Sequence, residues 1–383
     1  MTDYGGLSIK DDDRVEKLRA ECSPPKRNAD KNLLLAYLEL TPACNNRCPA
    51  CVNESFVADF QTRVLKSSFH RTSLSHSSWA KILSRLPPTV TSVILSGGEP
   101  TLHPAFTSII EELNKQNLDF AIFTNGRWQT PEKLIASLKA SSQFQGFLIS
   151  LHGASDSSHE AFTGISGSYE ETVRNIRAAI LAGLPVSIST VITKDNLVEL
   201  EAIIGLSVAL GAEDIYFNRY LSTPQRLANS GERIHLPTPS QLRSAIEQIE
   251  SFRSKWSSRI HVGYGPCIPQ CFVSSASEGC SAGEASFVVD PWGNIKPCLQ
   301  TDLLCGNLLE QSFETIWESE SLRQWRGLYD NGCSSCSAFA QCGGGCRAMT
   351  LAWGQGRDPL MTEPLRESHQ AITDSIPLPV IQY

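Results

Sequence analysis

The chain has 383 residues, 41% hydrophobic and 19% charged, the make-up of a globular protein large enough for more than one folding unit. A net charge of −7 gives no support to nucleic-acid or anionic-membrane binding, and no run of about 18 apolar residues suggests a membrane span. The start, M-T-D-Y-G-G-L-S-I-K-D-D-D, is polar and acidic and lacks the apolar stretch of a secretion signal, so the expected location is cytoplasmic.

In a reducing compartment the 13 cysteines read as metal ligands or catalytic thiols rather than disulfides, and their odd number points the same way. Residues 1–32, charged and interrupted by C-S-P-P-K-R, are expected to form an N-terminal extension. From Leu33 short β-branched runs alternate with helical stretches. The runs are L-L-L-A-Y-L-E-L, T-S-V-I-L-S, D-F-A-I-F-T-N, G-F-L-I-S-L, V-S-I-S-T-V-I and D-I-Y-F-N. Helices are predicted over 104–117, 130–142, 169–183 and 197–211. Ser168 is the expected N-cap of the third, with Glu171 completing a capping box and Gly183 just past its end. This α/β alternation over residues 33–221 predicts parallel βα units in a partial (β/α)6 TIM-type barrel, since a full eightfold one needs roughly 250 residues. Residues 222–266 read as a linker plus a helix over 239–257. Residues 267–365 are rich in cysteine and glycine and too poor in apolar residues for a core of their own. They are expected to form a small C-terminal domain stapled by metal clusters, followed by a tail, 366–383.

In parallel sheets the chemistry sits at the C-terminal strand ends. There the first loop carries Cys44-x3-Cys48-x2-Cys51, the second Ser96-Gly97-Gly98-Glu99-Pro100, the third T-N-G and the fourth S-L-H-G. Three thiolates on a tight loop can hold three irons of a cubane and leave the fourth open to another ligand. A zinc knuckle completed by His70 or His76 is the plainer alternative. Glycines at 97 and 98 leave backbone groups uncovered by side chains, so a ligand's amino group could approach closely.

Together these motifs resemble the radical S-adenosylmethionine (SAM) superfamily, over residues 36–220. The resemblance implies that Cys44, Cys48 and Cys51 hold a [4Fe–4S] cluster whose open iron is chelated by SAM. Reductive cleavage of SAM then gives a 5′-deoxyadenosyl radical that abstracts hydrogen from substrate. By the same resemblance Gly97, Gly98 and Glu99 would receive the SAM amino group and Ser150 would meet its carboxylate, with Asn125 and Thr190 candidates for the ribose side. Three departures stand out: Ala50 where an aromatic residue often precedes the third cysteine, His152 where many relatives carry Asp, and Thr163 where many carry Arg. His152 reads either as a packing residue or as a proton donor or substrate contact.

The C-terminal series, Cys280-x12-Gly293-x4-Cys298 followed by Cys333-x2-Cys336-x5-Cys342-x3-Cys346, resembles the SPASM extension, which binds auxiliary [4Fe–4S] clusters in radical SAM enzymes that mostly modify peptides and proteins. Carried over, Cys280, Cys298, Cys346 and one of Cys267 or Cys271, with Cys271 favoured, would hold the first auxiliary cluster. Cys333, Cys336 and Cys342 would hold the second. The family's closing cysteine is absent, with Leu365 in its place, so the fourth ligand is expected from Asp358, Glu363, Cys305 or an exogenous group. Cys22 reads as a free thiol.

The resemblance implies an oxidoreductase or maturase modifying a ribosomally synthesised peptide or a protein by crosslinking, epimerisation or excision. Its partners would be a precursor peptide, an electron donor such as flavodoxin or ferredoxin, and, with only about 32 residues ahead of the first strand, a separate peptide-recognition protein. Alternatives in the same class act on a tetrapyrrole or other cofactor precursor, or on a sulfatase. A non-catalytic iron–sulfur electron carrier is a distant alternative, since it needs neither G-G-E-P nor an open cluster position. Substrate contacts are expected from residues 52–78 and 219–240.

Overall fold

The structure, a computed structural model, describes residues 34–49, 51, 73–222, 235–265, 267–276 and 279–361. Expectations for the N-terminal extension, Cys22, His70, Glu363, Leu365, the tail and most of loop 52–78 fall outside these residues.

All six expected strands form: β1 (Leu35–Glu39), β2 (Ser92–Ser96), β3 (Asp119–Thr124), β4 (Phe144–Ser150), β5 (Val186–Val191) and β6 (Asp214–Asn218). They pair in parallel and in sequence order, with right-twisted βα connections supplying the convex helical layer. The sheet does not stop there. After the long helix α7 (Pro239–Trp256), strand β7 (His261–Tyr264) adds in parallel to β6. On the opposite edge β8 (Ser286–Val289), from the cysteine-rich part, pairs in parallel with β1 and carries β9 (Asn294–Lys296) and β10 (Gly306–Asn307) as an antiparallel extension. The result is one ten-stranded sheet rather than six strands. A six-stranded barrel leaves two edges with unpaired backbone groups, and these later segments cover both.

The helices expected from periodicity are α2 (Phe106–Lys115), α3 (Pro131–Lys139), α5 (Ser168–Leu181), α6 (Leu200–Leu210) and α7. In α2 the buried side chains are Phe106, Ile109, Ile110 and Leu113, the i, i+3, i+4, i+7 stripe that faces a core. Helix α7 starts at a capping box between Thr238 and Gln241 with Pro239 at its first position. Ser168 is not a cap: Gly167 holds the N-cap position of α5, while Ser168 is buried and its hydroxyl pairs with that of Thr163 at 2.6 Å. Gly183, in the left-handed conformation, follows the helix end as expected. In the barrel the helices α1 (His76–Leu83) and α4 (Asp156–Thr163) form beyond those expected. Each is short and starts on a serine cap, Ser75 and Ser155.

Strand register sorts the side chains. Ala36, Leu38 and Leu40, Val93 and Leu95, Phe120 and Ile122, and Ile188 lie in the core beneath the helices. The other face carries Tyr37 and Glu39, Ile94 and Ser96, Phe123, Leu148 and Ser150, Ser187 and Ser189, and Tyr216 and Asn218. Along this inner face Tyr37, Ser96, Phe123, Leu148, Ser150, Ser189 and Asn218 are only half-buried, as the wall of an open chamber should be.

The C-terminal part is clamped to the barrel by a buried ion pair. Arg219, just past β6, donates Nη1 to Asp358 Oδ2 (2.8 Å) and to the Cys267 carbonyl (2.8 Å), and Nη2 to Asp358 Oδ1 (3.0 Å). Asp358 also accepts from the backbone of Cys346 at 2.8 Å. Removing one partner of such a pair strands a buried charge, which costs about 3–5 kcal/mol. Arg219→Ala should therefore lower unfolding stability by that order, read as a shift of the urea midpoint. Arg219→Lys should recover only part of it, because an ammonium cannot reproduce the two-pronged contact.

Candidate active site

The four loops converge on one rim as the strand order requires, and backbone contact welds the first two together. The N–H of Gly98 donates to the Thr41 carbonyl and that of Glu99 to the Ala43 carbonyl, both at 2.7 Å. A Cβ on Gly98 would lie 2.3 Å from the Ala43 oxygen, and one on Gly97, whose φ is +137°, would lie 2.6 Å from the Thr41 oxygen. The glycines are thus required first by the cysteine loop itself. Their N–H groups are not all left free, as the sequence suggested, because this pairing consumes those of Gly98 and Glu99.

Glu99 is fully buried. Its carboxylate accepts from Thr101 (Oγ1, 2.7 Å), from Thr124 Oγ1 (2.9 and 3.0 Å) and from the Asn125 N–H (2.8 Å). Burial raises its pKa, while these donors, led by the Asn125 N–H, pull it back. The side chain therefore ties the second strand end to the third. Asn125 is likewise engaged, donating Nδ2 to Asn45 Oδ1 at 2.7 Å and standing 3.8 Å from Cys44 Sγ. Thr190 is buried and donates its hydroxyl to the Leu151 carbonyl at 2.6 Å. Ser150, at the end of β4, is half-buried on the chamber side.

Arg127, one residue past T-N-G, was not singled out by any motif, yet it pins the cysteine loop. Its Nη1 donates to the Asn45 carbonyl and to Asn46 Oδ1 (2.8 Å), while Nε pairs with Glu171 at 2.8 Å. From the other side the Thr163 carbonyl accepts from the Arg47 N–H at 2.8 Å, so F-T-G also braces this loop.

Burial pushes the Cys44 thiol up to about 12 and that of Cys48 well above its ordinary value, and the neighbouring Cys51 adds to both shifts. Without metal these thiols keep their protons, so loading iron must displace them. Among the described residues no three His, Cys, Asp or Glu side chains close on a point that one ion could occupy. His76 is exposed at the start of α1, and among the described residues no histidine joins the three cysteines around one ion. Three soft ligands spread around a space fit a cubane, in which each thiolate holds a different iron.

Two further cysteine groups form in the C-terminal part. Cys267, Cys280 and Cys346 pack together with Cys298 beside them. Cys267 hydrogen-bonds to Cys280 and Cys346, which raises its own pKa and lowers that of Cys280 to about 6, with Arg347 adding to the effect. Cys271, the expected fourth member, is elsewhere. The carbonyl of Cys267 is held by Arg219, and the chain then turns over Pro269, whose carbonyl accepts from Phe272 and Val273. That turn sends Cys271 to the other side, into a pocket lined by Cys333, Cys336, Cys342, Phe339 and Met361.

Of the other fourth-ligand candidates, Asp358 is consumed by Arg219 and Cys346. Cys305 is buried in the main hydrophobic core, which lifts its thiol to about 11. His152 is a packing residue. Its ring lies 4.1 Å from that of Phe162, its Nδ1 accepts from Val191 at 3.2 Å, and burial holds it neutral.

This geometry is that of a radical SAM enzyme, and comparison with known proteins agrees. Residues 38–206 match the family model of the radical SAM superfamily, and residues 280–343 match that of the SPASM iron-sulfur cluster-binding domain. The chain belongs to the radical SAM superfamily and carries a SPASM domain. It is 27% identical over 354 residues to an AdoMet-dependent heme synthase of Nitratidesulfovibrio vulgaris, spanning 87% of this chain and 91% of that one. It is 28% identical over 369 residues to the mycofactocin maturase MftC of Mycobacterium tuberculosis, spanning 92% and 89%. In fold it resembles Streptococcus suis SuiB bound to S-adenosylmethionine, with a TM-score of 0.70, 16% identity and coverage of 92% of this chain and 84% of that one. SuiB is also known bound to its precursor peptide SuiA, where the TM-score is 0.67.

Two outcomes test the site. Gly98→Ala should cost the cluster at Cys44, Cys48 and Cys51, removing about a third of the iron while the auxiliary iron stays, because backbone cannot yield 2.3 Å contacts as a side chain can. Iron analysis and the EPR of the reduced protein read this directly. His159 gives a pH test: burial, then the charge of Arg127, lowers its pKa to about 4, against about 6.5 unfolded. The unfolded chain then binds more protons between these values, so stability falls as pH drops from 6.5 towards 4. His159→Gln should flatten that slope by up to about 1.4 kcal/mol per pH unit, seen in urea midpoints at pH 7 and pH 5.

Proposed function

We propose that this enzyme is a maturase that modifies a ribosomally synthesised precursor peptide in the chamber on the inner face of the sheet. The observation that carries the substrate class is the charge of that face. Among the described residues its strand positions carry one lysine and no arginine, and Lys296 is already paired with Glu39 at 2.8 Å. Near the rim Arg127 and Arg219 are committed to Glu171 and Asp358. A tetrapyrrole precursor bearing several carboxylates would call for unspent cations inside the chamber, whereas Arg47 and Lys194 of the rim loops are exposed to solvent. A peptide segment suits the hydroxyls of Ser96, Ser150 and Ser189, the amide of Asn218 and the paired rings of Tyr37 and Phe123, whose centroids stand 5.9 Å apart. The full-length likeness to mycofactocin maturase MftC and the SuiB complex with a precursor peptide support the same reading. The likeness to a heme synthase is the observation that favours the second reading, a tetrapyrrole substrate.

When bound, a [4Fe–4S] cluster carrying SAM on its open iron supplies one-electron cleavage of the sulfonium and hence hydrogen abstraction. Cys44, Cys48 and Cys51 would hold it. The carbonyl edge of Gly97 and Gly98 would take the SAM amino group, and Ser150 its carboxylate. Asn125 and Thr190, engaged as they are, would shape the ribose side rather than grip it. A low-potential donor such as flavodoxin or ferredoxin, a separate peptide-recognition protein and a cytoplasmic location belong to this proposal. Among the described residues, no helix is long and apolar enough to cross a membrane.

The reconstituted protein should release 5′-deoxyadenosine under anaerobic reduction, and replacing Cys44, Cys48 and Cys51 by alanine should abolish that release. Mass spectrometry of a leader-bearing peptide encoded beside the gene should show a loss or shift of hydrogen mass. Turnover of a tetrapyrrole in place of any peptide would favour the second reading.

A further inference from the structure

The SPASM resemblance leaves the second auxiliary site one ligand short, because no cysteine follows Cys346 in the chain. The fold fills that gap from the opposite direction in sequence. Cys271 lines the same pocket as Cys333, Cys336 and Cys342. Its segment is fastened there, since the N–H of Gln270 points to Cys342 Sγ at 3.5 Å. N–H donors to ligand sulfur are a recurrent feature of cluster sites and one of the means by which proteins set their potential. Phe339 and Met361 cover the pocket with apolar surface.

We propose that Cys271 closes the second auxiliary [4Fe–4S] site, giving it four thiolates and no open iron. Two C-x3-C bridges then join the auxiliary sites. Cys267 and Cys271, with three residues between them, serve the first and second site, and Cys346 and Cys342 do the same in the reverse chain direction. The two clusters are thus held at short range by paired covalent links, which suits electron transfer between them. Neither site would then bind substrate on an exchangeable iron, so the auxiliary clusters carry electrons, and substrate selection falls to the chamber.

The test counts iron with the SAM-site cluster removed. In the Cys44→Ala, Cys48→Ala, Cys51→Ala background, anaerobically reconstituted protein should hold about eight irons, two four-iron clusters. Adding Cys271→Ala should lower this to about four or convert the site to a three-iron form, with the first auxiliary cluster's EPR signal intact as proof of folding. Adding Cys267→Ala should remove the other signal. Unchanged iron and EPR in the Cys271→Ala protein would overturn the proposal, as would loss of the second cluster on Glu363→Gln instead. If Cys271→Ala loses all iron, Cys271→Asp decides: retained iron with an altered EPR line shape supports ligation, and an unaltered line shape sinks it. A background protein without iron would overturn both the auxiliary-cluster reading and the proposal.

Discussion

Everything at the rim depends on how closely two stretches of backbone can approach. The loop carrying Cys44, Cys48 and Cys51 is short of secondary structure and would have many conformations alone. It is held because Gly97 and Gly98 let the next strand's loop lie against it with no side chain between, so that two N–H groups reach the carbonyls of Thr41 and Ala43. Glu99 then anchors that loop to Thr124 and Asn125, and Asn125 and Arg127 return to the cysteine loop through Asn45 and Asn46. Each strand end is fixed by its neighbour, so three ligands can be presented in one arrangement before any metal arrives, which limits the ordering cost of cluster binding.

The second constraint lies at the other end of the sheet. Strand β8 inserts Phe287 and Val289 into the barrel's core, and Phe313 and Trp317 of the same cysteine-rich part pack on Phe287 there. That part extends the barrel's core and adds a small cluster of its own around Cys267, Cys280, Trp325, Cys346 and Met349. The buried Lys296–Glu39 pair and the Arg219–Asp358 clamp then fix it at two distant points on the barrel, one at β1 and one after β6. Buried ion pairs add little net stability, but they penalise any misplaced docking that would leave a charge alone. Orientation is what auxiliary clusters need from their scaffold.

Much of this was legible from residue order. Strands in β-branched runs, helices with a clean apolar stripe and the convergence of four loops follow from periodicities that burial enforces. What escaped has physical reasons. The polar octet D-S-S-H-E-A-F-T of α4 carries too few apolar residues for a stripe and is helical because Ser155 caps it and Phe162 is buried. Strand β8 looks like any short apolar run until its partner, some 250 residues earlier, is known. Ser168 has the right type and spacing for a cap, but a tertiary hydrogen bond to Thr163 claims its hydroxyl. Arg127 belongs to no spacing rule, since its partners come from another loop. Cys267 and Cys271 are indistinguishable by spacing, and only the turn at Pro269 separates their directions.

The pairing of β1 between β2 and β8 also sets an order of assembly. Strand β1 leaves the ribosome first and meets β2 after some fifty residues, but its other edge stays bare until residues 286–289 have been made. For most of synthesis, then, the strand leading into the SAM-site cysteines exposes a row of unpaired N–H and C=O groups, a template for association with other chains. A chain interrupted before β8 would keep the C-x3-C-x2-C and G-G-E-P motifs and still be prone to aggregate, so the C-terminal part also serves the nascent barrel as a cover for its edge.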